Sequence, residues 1–357
     1  MTTVAHAIEW PSEKHLQAFS SSSPKLLKAL YGSNDSTPPV WLMRQAGRYM
    51  ASYRALRERY PFLALCKRPE LAAAVTMMPI EQLDVDAAIL FSDILLLLEP
   101  LAVGLSFDEG RGPLLASPLE RPEAIDRFPQ KLPLEEFAFV TEAIQMTKAA
   151  LDRPLIGFAG APFTLASYLI EGKTARHLPM TKRWVIQQPA AFRLLLDQLT
   201  DYVIDYLSMQ AEAGADLLQL FDSWTEQLSP AHFSTFCEPC LKRICSAMKA
   251  KGIPLILFCR ATASHLDALI RIGPSAISSD WMGDLATLRQ RIPSSIALQG
   301  NMEPAWLYAD RSVIEQQAAQ MAHSMRSQPN YIANLGHGIP PDVEIDAVRA
   351  FVDGVRS

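Results

Sequence analysis

The stretch Pro154–Gly172, PLIGFAGAPFTLASYLIEG, contains one complete strand-and-helix unit. Its first residues, PLIGFA, are an apolar run typical of a buried strand, and Gly157, Gly160 and Pro162 lead into a helical pattern that carries Tyr168. A buried strand followed by a helix is the building unit of parallel α/β sheets. Because this unit recurs along the chain, it decides the fold.

Eight strand-like runs occur, and most are followed by an amphipathic helical pattern such as Thr181–Ala213, Pro230–Lys251 or Glu344–Val355. The number of repeats predicts an α/β fold with a single (β/α)8 TIM barrel, in preference to an open doubly wound sheet. In order, the runs are PVWLM around Val40, DAAILF from Asp86, PLIGFA from Pro154, ADLLQLF around Asp216, IPLILF from Ile253, AISSDW from Ala276, SIALQG from Ser295 and YIANLG from Tyr331.

Two segments depart from this rhythm. Residues 1–37 are predicted to be a peripheral leader with a short helix around Lys25–Tyr31, and residues 38–357 to be the barrel. The segment Leu101–Pro118 contains GLSFDEGRGPLL, in which a glycine-rich tip separates two alternating runs. That pattern predicts a β-hairpin inserted after the second strand.

The bulk composition excludes several classes of protein. The net charge of −5 argues against nucleic acid or an anionic membrane as the main partner. The longest apolar stretch, Ala87–Leu105, is interrupted by polar residues, so no membrane span is expected. The five cysteines form no even framework and the N-terminus lacks a signal-peptide core, which together favour the cytoplasm.

In a barrel, chemistry occurs at the carboxyl ends of the strands. Arg44 and Arg48 follow the first run, and planar guanidiniums there suit a ligand with several carboxylates. A helical turn beginning near Gln45 would place the two on one face. Asp93 follows the second run, where it is either a desolvated functional carboxylate, a helix cap or an ion-pair partner of Arg44.

The remaining polar positions carry weaker signals. His337, between two glycines, fits a metal ligand, a general acid or an ordinary loop histidine, and Tyr168 fits a packed aromatic residue. Ser223 has no nucleophile-elbow context. The pair Cys237 and Cys240 lacks a second pair at zinc-finger spacing, so no metal site is expected.

Two segments, PVWLMRQAGRYMASYR and GFAGAPFTLASYLIEG, resemble the two signature segments of the uroporphyrinogen decarboxylase family. The similarity extends to FSDIL, LLQLFDSW, LQGNMEP and YIANLGHGI, and covers about 38–355. The resemblance implies a homodimeric barrel without a cofactor that converts the four acetate side chains of uroporphyrinogen III to methyls, giving coproporphyrinogen III and CO2. It implies catalytic roles for Asp93 and Arg48, and a substrate site formed by Arg44, Gln45, Ala46, Gly47, Arg48, Asp93, Tyr168, Ser223 and His337.

The chain departs from the family pattern at Ala51 and Ser52, at Met78, at Thr225–Glu226 and at Arg260–Ala261. Two alternatives to the decarboxylase remain open, and the departures favour only the first of them. One is a non-catalytic tetrapyrrole carrier. The other is a corrinoid-dependent zinc methyltransferase on a related barrel, although two of the three zinc ligands that such enzymes use are missing here.

Overall fold

The computed structural model describes residues 23–34, 37–108 and 110–357. The strands are β1 (Ala88–Ile89), β2 (Leu105–Asp108), β3 (Gly112–Leu115), β4 (Leu155–Gly160), β5 (Leu217–Asp222), β6 (Leu255–Cys259), β7 (Ala276–Ser279), β8 (Ala297–Met302) and β9 (Tyr331–Leu335). Seven of them, β1 and β4 to β9, form a curved parallel sheet in the order of the chain. The α/β, TIM-barrel-like fold predicted from the sequence is confirmed.

Helices follow most strands and cover the outside of the sheet. They are α1 (Lys25–Leu30), α2 (Ala51–Arg59), α3 (Phe62–Lys67), α4 (Pro69–Leu83), α5 (Ala138–Ala150), α6 (Pro162–Glu171), α7 (Pro179–Gln187), α8 (Pro189–Ala213), α9 (Pro230–His232), α10 (Glu238–Ala250), α11 (Thr262–Ile272), α12 (Leu285–Arg291), α13 (Arg311–Ser324) and α14 (Ile345–Arg356). Among the helices of the described residues, none combines the length and hydropathy needed to cross a bilayer.

The first predicted strand is wrong in its extent, because only Val40 pairs, in a parallel bridge with Ala333. The backbone N–H of Ala333 donates to the Pro39 carbonyl at 2.9 Å, and the N–H of Asp86 donates to the Val40 carbonyl at 2.7 Å. Residues 39–40 therefore bridge the last strand of the sheet, β9, and the segment that leads into its first strand, β1. Beyond Val40 the backbone leaves the sheet, since the N–H of Met43 donates to the side chain of Asn334 at 3.1 Å.

Two of the predicted helices are interrupted. The pattern at 181–213 is divided between α7 and α8, because Gln188 leaves the helical conformation, with φ −133° and ψ 48°, and Pro189 begins a new helix. The pattern at 230–251 contains a π-helical turn, Phe233–Cys237, between α9 and α10.

Helix α1 packs against the interior of the sheet. Its apolar residues Leu26, Ala29 and Leu30 are at most 2% exposed and belong to a buried cluster with residues from the strands. This burial differs from the peripheral position expected for residues 1–37. Residues 1–22 and 35–36 of that segment lie outside the described residues.

Strands β2 and β3 form an antiparallel hairpin between β1 and β4, with Leu105 opposite Leu115 and Asp108 opposite Gly112. The base of the hairpin is held by the N–H of Leu115, which donates to the carbonyl of Gly172 at 2.8 Å. Its outer strand is fixed by Phe107, whose ring centroid lies 4.7 Å from that of Phe62. The hairpin thus stands at the carboxyl end of the sheet.

Candidate active site

A cavity of about 580 Å³ opens at the carboxyl ends of the strands. Eight of the nine residues that the sequence suggested line it: Arg44, Gln45, Ala46, Gly47, Arg48, Asp93, Ser223 and His337. Tyr168 is not among the lining residues. Its ring meets that of Trp224 edge to face, with 6.1 Å between the centroids.

The cavity carries an excess of positive charge although the chain is acidic. Its lining contains four arginines and two aspartates: Arg44, Arg48, Arg57, Arg111, Asp93 and Asp108. Arg44 and Arg48 are both exposed, and neither makes an ion pair with a described residue. Unpaired guanidiniums in a concave site are suited to binding carboxylates.

The loop that carries the two arginines is not the helical turn that the sequence suggested. Arg44 has a left-handed backbone with φ 59°, and helix α2 begins only at Ala51. The reason is Gln45, which is buried and uses its side chain within the loop. Its Oε1 accepts from the N–H of Leu42 at 3.1 Å, and its Nε2 donates to the carbonyl of Ala87 at 3.1 Å. Gln45 therefore shapes the wall of the cavity and holds the arginines in place.

Asp93 stands at the end of β1, in the deepest acidic position of the cavity. Its Oδ1 accepts from the N–H of Leu95 at 2.8 Å. Burial raises the pKa of the Asp93 carboxyl, while the Leu95 hydrogen bond and the charge of Arg44 act in the opposite direction. The second carboxylate oxygen is left to accept hydrogen bonds from a ligand.

Ser223 is positioned by a chain of hydrogen bonds below the cavity. Its backbone N–H donates to Oγ1 of Thr164 at 2.8 Å, and the Thr164 hydroxyl donates to Oδ1 of Asp222 at 2.7 Å. Desolvation raises the pKa of Asp222 to about 7, and the nearby Glu226 carboxylate also raises it. The other oxygen of Asp222 and Oε2 of Glu226 are buried and accept from no described residue.

His337 is neutral in the cavity. Burial, together with the charges of Arg44 and Arg260, lowers its pKa to about 3. Its ring meets Phe258 and Trp281 edge to face, at 5.8 Å and 6.2 Å between centroids. The protein therefore presents an uncharged imidazole, in which one ring nitrogen donates a hydrogen bond and the other accepts one.

Sequence reasoning did not identify the aromatic floor of the cavity. Phe158, Phe221 and Phe258 line it from β4, β5 and β6, with centroids 5.6 Å and 6.1 Å apart along the series. Each of these phenylalanines lies near the carboxyl end of its strand. This repeated position is the sequence signal from which the aromatic floor could have been predicted. Arg57 and Arg111 were also missed, because α2 and the hairpin tip approach the cavity only through tertiary packing.

Comparison with known proteins decides the family. Residues 21–357 match the family model described as "Uroporphyrinogen decarboxylase (URO-D)". This chain belongs to the uroporphyrinogen decarboxylase family. A curated uroporphyrinogen decarboxylase from Protochlamydia amoebophila is 47% identical over 94% of this chain and 92% of its own length. One from Myxococcus xanthus is 42% identical over 93% of this chain and 95% of its own length.

A solved structure has the same fold as this chain. A methyltransferase from Methanosarcina mazei superposes with a TM-score of 0.74 at 22% identity, covering 93% of this chain and 97% of its own. At that identity the likeness establishes the fold alone. It supports the TIM-barrel-like architecture of the uroporphyrinogen decarboxylase chain.

Several of the residues that depart from the family sequence pattern contact one another. The Ser52 hydroxyl donates to the sulfur of Met78 at 3.4 Å. The Thr225 hydroxyl donates to the carbonyl of Arg260 at 2.7 Å, and Ala261 adopts a left-handed φ of 57°. Each pair includes or adjoins a chain neighbour of the cavity lining.

Proposed function

We propose that this chain decarboxylates uroporphyrinogen to coproporphyrinogen, and that the cavity at the strand ends is the site of the reaction. The names of its curated relatives state the activity. The observation that carries the proposal is the arrangement of charge: the carboxylate of Asp93 and the guanidiniums of Arg44 and Arg48 line one cavity together with an aromatic floor. This arrangement fits a flexible tetrapyrrole that has inner N–H donors and peripheral carboxylates.

The chemistry requires an electron sink and a proton for every CO2 released. Protonation of a pyrrole carbon makes the ring cationic, and the electron pair of the breaking C–CO2 bond then flows into it. A second proton adds at the resulting methylene, and loss of the ring proton restores the aromatic pyrrole. Asp93 accepts hydrogen bonds from the pyrrole N–H groups and stabilises the cationic ring, because a preorganised carboxylate acts strongly on developing charge.

The other residues bind and orient the substrate. Arg44 and Arg48 hold peripheral carboxylates by bidentate hydrogen bonds, and Arg48 assists proton delivery. The Ser223 hydroxyl and neutral His337 donate to further carboxylates. The phenol of Tyr168 donates to a further carboxylate, since burial raises its pKa and keeps it protonated.

The direct test is incubation of the purified protein with uroporphyrinogen III under anaerobic conditions, with chromatography of the oxidised products. Stepwise conversion to coproporphyrin supports the proposal. Binding without turnover would establish the tetrapyrrole carrier instead.

The methyltransferase alternative predicts a metal requirement. Cys259, at the position where such enzymes carry a zinc ligand, is buried within β6, and its pKa is raised by burial. In the part of the chain that is described, no group of three His, Cys, Asp or Glu side chains could hold a metal ion. We therefore expect full decarboxylase activity after exhaustive chelation. Loss of activity with EDTA and its return with zinc would favour the alternative.

We further propose that the chain is a cytoplasmic homodimer that needs no cofactor. All five cysteines are free and buried, which suits a reducing compartment. Ile186 and Leu194 are 70% and 56% exposed on neighbouring helices α7 and α8, and they provide apolar surface for a subunit contact. Light scattering coupled to size-exclusion chromatography tests the oligomeric state.

A further inference from the structure

The hairpin β2–β3 contributes a wall to the cavity. Six of the lining residues come from its two strands and its tip: Phe107, Asp108, Gly110, Arg111, Gly112 and Pro113. The wall is anchored on one side through Phe107 against Phe62. On the other side the hairpin approaches the loop after α6. A β-carbon built on Gly112 would lie only 3.5 Å from the hydroxyl oxygen of Thr174 in that loop.

Arg111 is the one cation at the described tip of this hairpin. Gly110 and Gly112 flank it with φ of 94° and 79°, values that favour glycine and turn the chain sharply at this point. The Arg111 side chain is 78% exposed. Within the described residues its nearest carboxylate is that of Asp108, at 4.0 Å, the outer limit of an ion pair. Such a pair contributes only about 0–1 kcal/mol.

The charge of the substrate exceeds what the predicted site can bind. Uroporphyrinogen has eight carboxylates around its rim, whereas the sequence-derived site supplies two guanidiniums. His337 adds no charge because burial keeps its pKa near 3. Arg44 and Arg48 both belong to the loop after Val40, so they approach the substrate from one side. The hairpin is a separate wall with its own cation.

We propose that Arg111 binds a peripheral carboxylate of the tetrapyrrole and that the hairpin is thus a substrate-binding element. The inference rests on the proposed function and names a further binding residue for the same reaction. A cation on this wall acts on substrate affinity.

The test compares Arg111→Gln with Arg121→Gln, which removes an exposed arginine outside the cavity lining. We expect Arg111→Gln to raise the KM for uroporphyrinogen about three- to tenfold, with kcat changed by no more than about twofold. The KM should also respond less steeply to added salt, because one screened charge interaction is gone. Arg121→Gln should behave like the wild type in both respects.

Two further variants separate the charge of Arg111 from the shape of the hairpin. Arg111→Lys should bind uroporphyrinogen more tightly than Arg111→Gln but less tightly than the wild type. Lysine keeps the positive charge but lacks the planar guanidinium. Asp108→Asn should lower the KM, because it removes the carboxylate that competes for Arg111. Melting temperatures should stay within about 1 °C of the wild type, because exposed substitutions seldom affect folding. Equilibrium binding of coproporphyrinogen, followed by ultrafiltration, provides a readout independent of turnover.

The outcomes distinguish this inference from the proposed function. If the wild type converts uroporphyrinogen but Arg111→Gln matches Arg121→Gln in KM, salt response and product binding, the role of Arg111 is refuted and the function stands. If the wild type does not convert uroporphyrinogen, the proposed function itself fails. A fall in kcat with unchanged KM would also overturn the inference, because it would indicate an effect on chemistry and not on binding.

Discussion

The side chain of Arg44 lies across the α-carbon of Gly338. A β-carbon built at Gly338 would overlap Cδ, Cγ and Nε of Arg44, so the absence of a side chain there creates the channel through which the guanidinium reaches the cavity. The backbone on the two sides is joined as well, since the N–H of Ile339 donates to the carbonyl of Met43 at 3.1 Å. The loop after β9 and the loop after Val40 therefore form one unit of the site.

Gly338→Ala is expected to raise the KM for uroporphyrinogen while leaving the fold intact. The backbone of Gly338 is not left-handed, and the overlapping atoms belong to an exposed side chain that can move aside. A double-mutant cycle with Arg44→Ala measures whether the effect passes through Arg44. Additive losses would show that Gly338 acts independently of it.

The variants Arg48→Lys and Arg44→Lys test whether the planar geometry of the guanidinium matters for substrate binding. If the arginines hold carboxylates by two parallel hydrogen bonds, each lysine variant should lower kcat/KM while the melting temperature stays unchanged. If the two arginines are ordinary surface residues, the lysine variants should keep wild-type kinetics, because an exposed ion pair contributes only about 0–1 kcal/mol to stability. Wild-type kinetics in both variants would remove the two arginines from the substrate site.

Asp93→Asn should lower kcat about 10²–10³-fold, the usual effect of losing one preorganised electrostatic contact. The amide keeps the shape and can still accept from the N–H of Leu95, so folding should be preserved. Single-turnover rates with bound uroporphyrinogen are the measurement. Near-normal turnover would exclude Asp93 as the group that stabilises the cationic pyrrole.

His337 should make the protein less stable as the pH falls below neutral. The unfolded chain takes up a proton at His337 near pH 6.5, whereas in the folded chain the pKa is about 3. Stability from this residue is therefore complete above pH 6.5 and is lost progressively toward pH 3. Denaturant unfolding at pH 7 and pH 5 should show a smaller loss in His337→Gln than in the wild type. Equal losses would contradict the low pKa.

Glu226→Gln should stabilise the protein at pH 8 and have little effect at pH 4. The pKa of Asp222 is about 7 in the folded chain, against 3.8 for an ordinary aspartate, so the folded state keeps a proton that the unfolded state releases. Stability from Asp222 is thus present at low pH and declines as the pH rises toward 7. Removing the Glu226 charge lowers that pKa and reduces the decline.

The control for this experiment is Glu123→Gln, an exposed glutamate far from Asp222 in sequence and outside the cavity lining. It should shift stability equally at both pH values. An identical response of the two variants would show that Glu226 does not act on Asp222.

The sequence by itself determined the α/β barrel class and the strand ends where the site lies. Apolar runs such as 154–159 and 217–221 can be buried on both faces only in a parallel sheet covered by helices. The strand ends then bring Asp93, Ser223 and His337 to one rim, a consequence of chain direction alone. The family signature around Arg44 and Arg48 supplied the substrate class.

Only the tertiary structure decided the local shape and charge of the site. Gln45 replaces the expected helical turn with a side-chain-bonded loop, because its amide reaches Ala87, distant in sequence. The neutrality of His337 depends on burial and on two arginines from other loops, and no periodicity reveals either. Arg111 reaches the cavity because Phe107 packs on Phe62. Long-range packing and desolvation arise from the whole fold, whereas a sequence pattern records only neighbours along the chain.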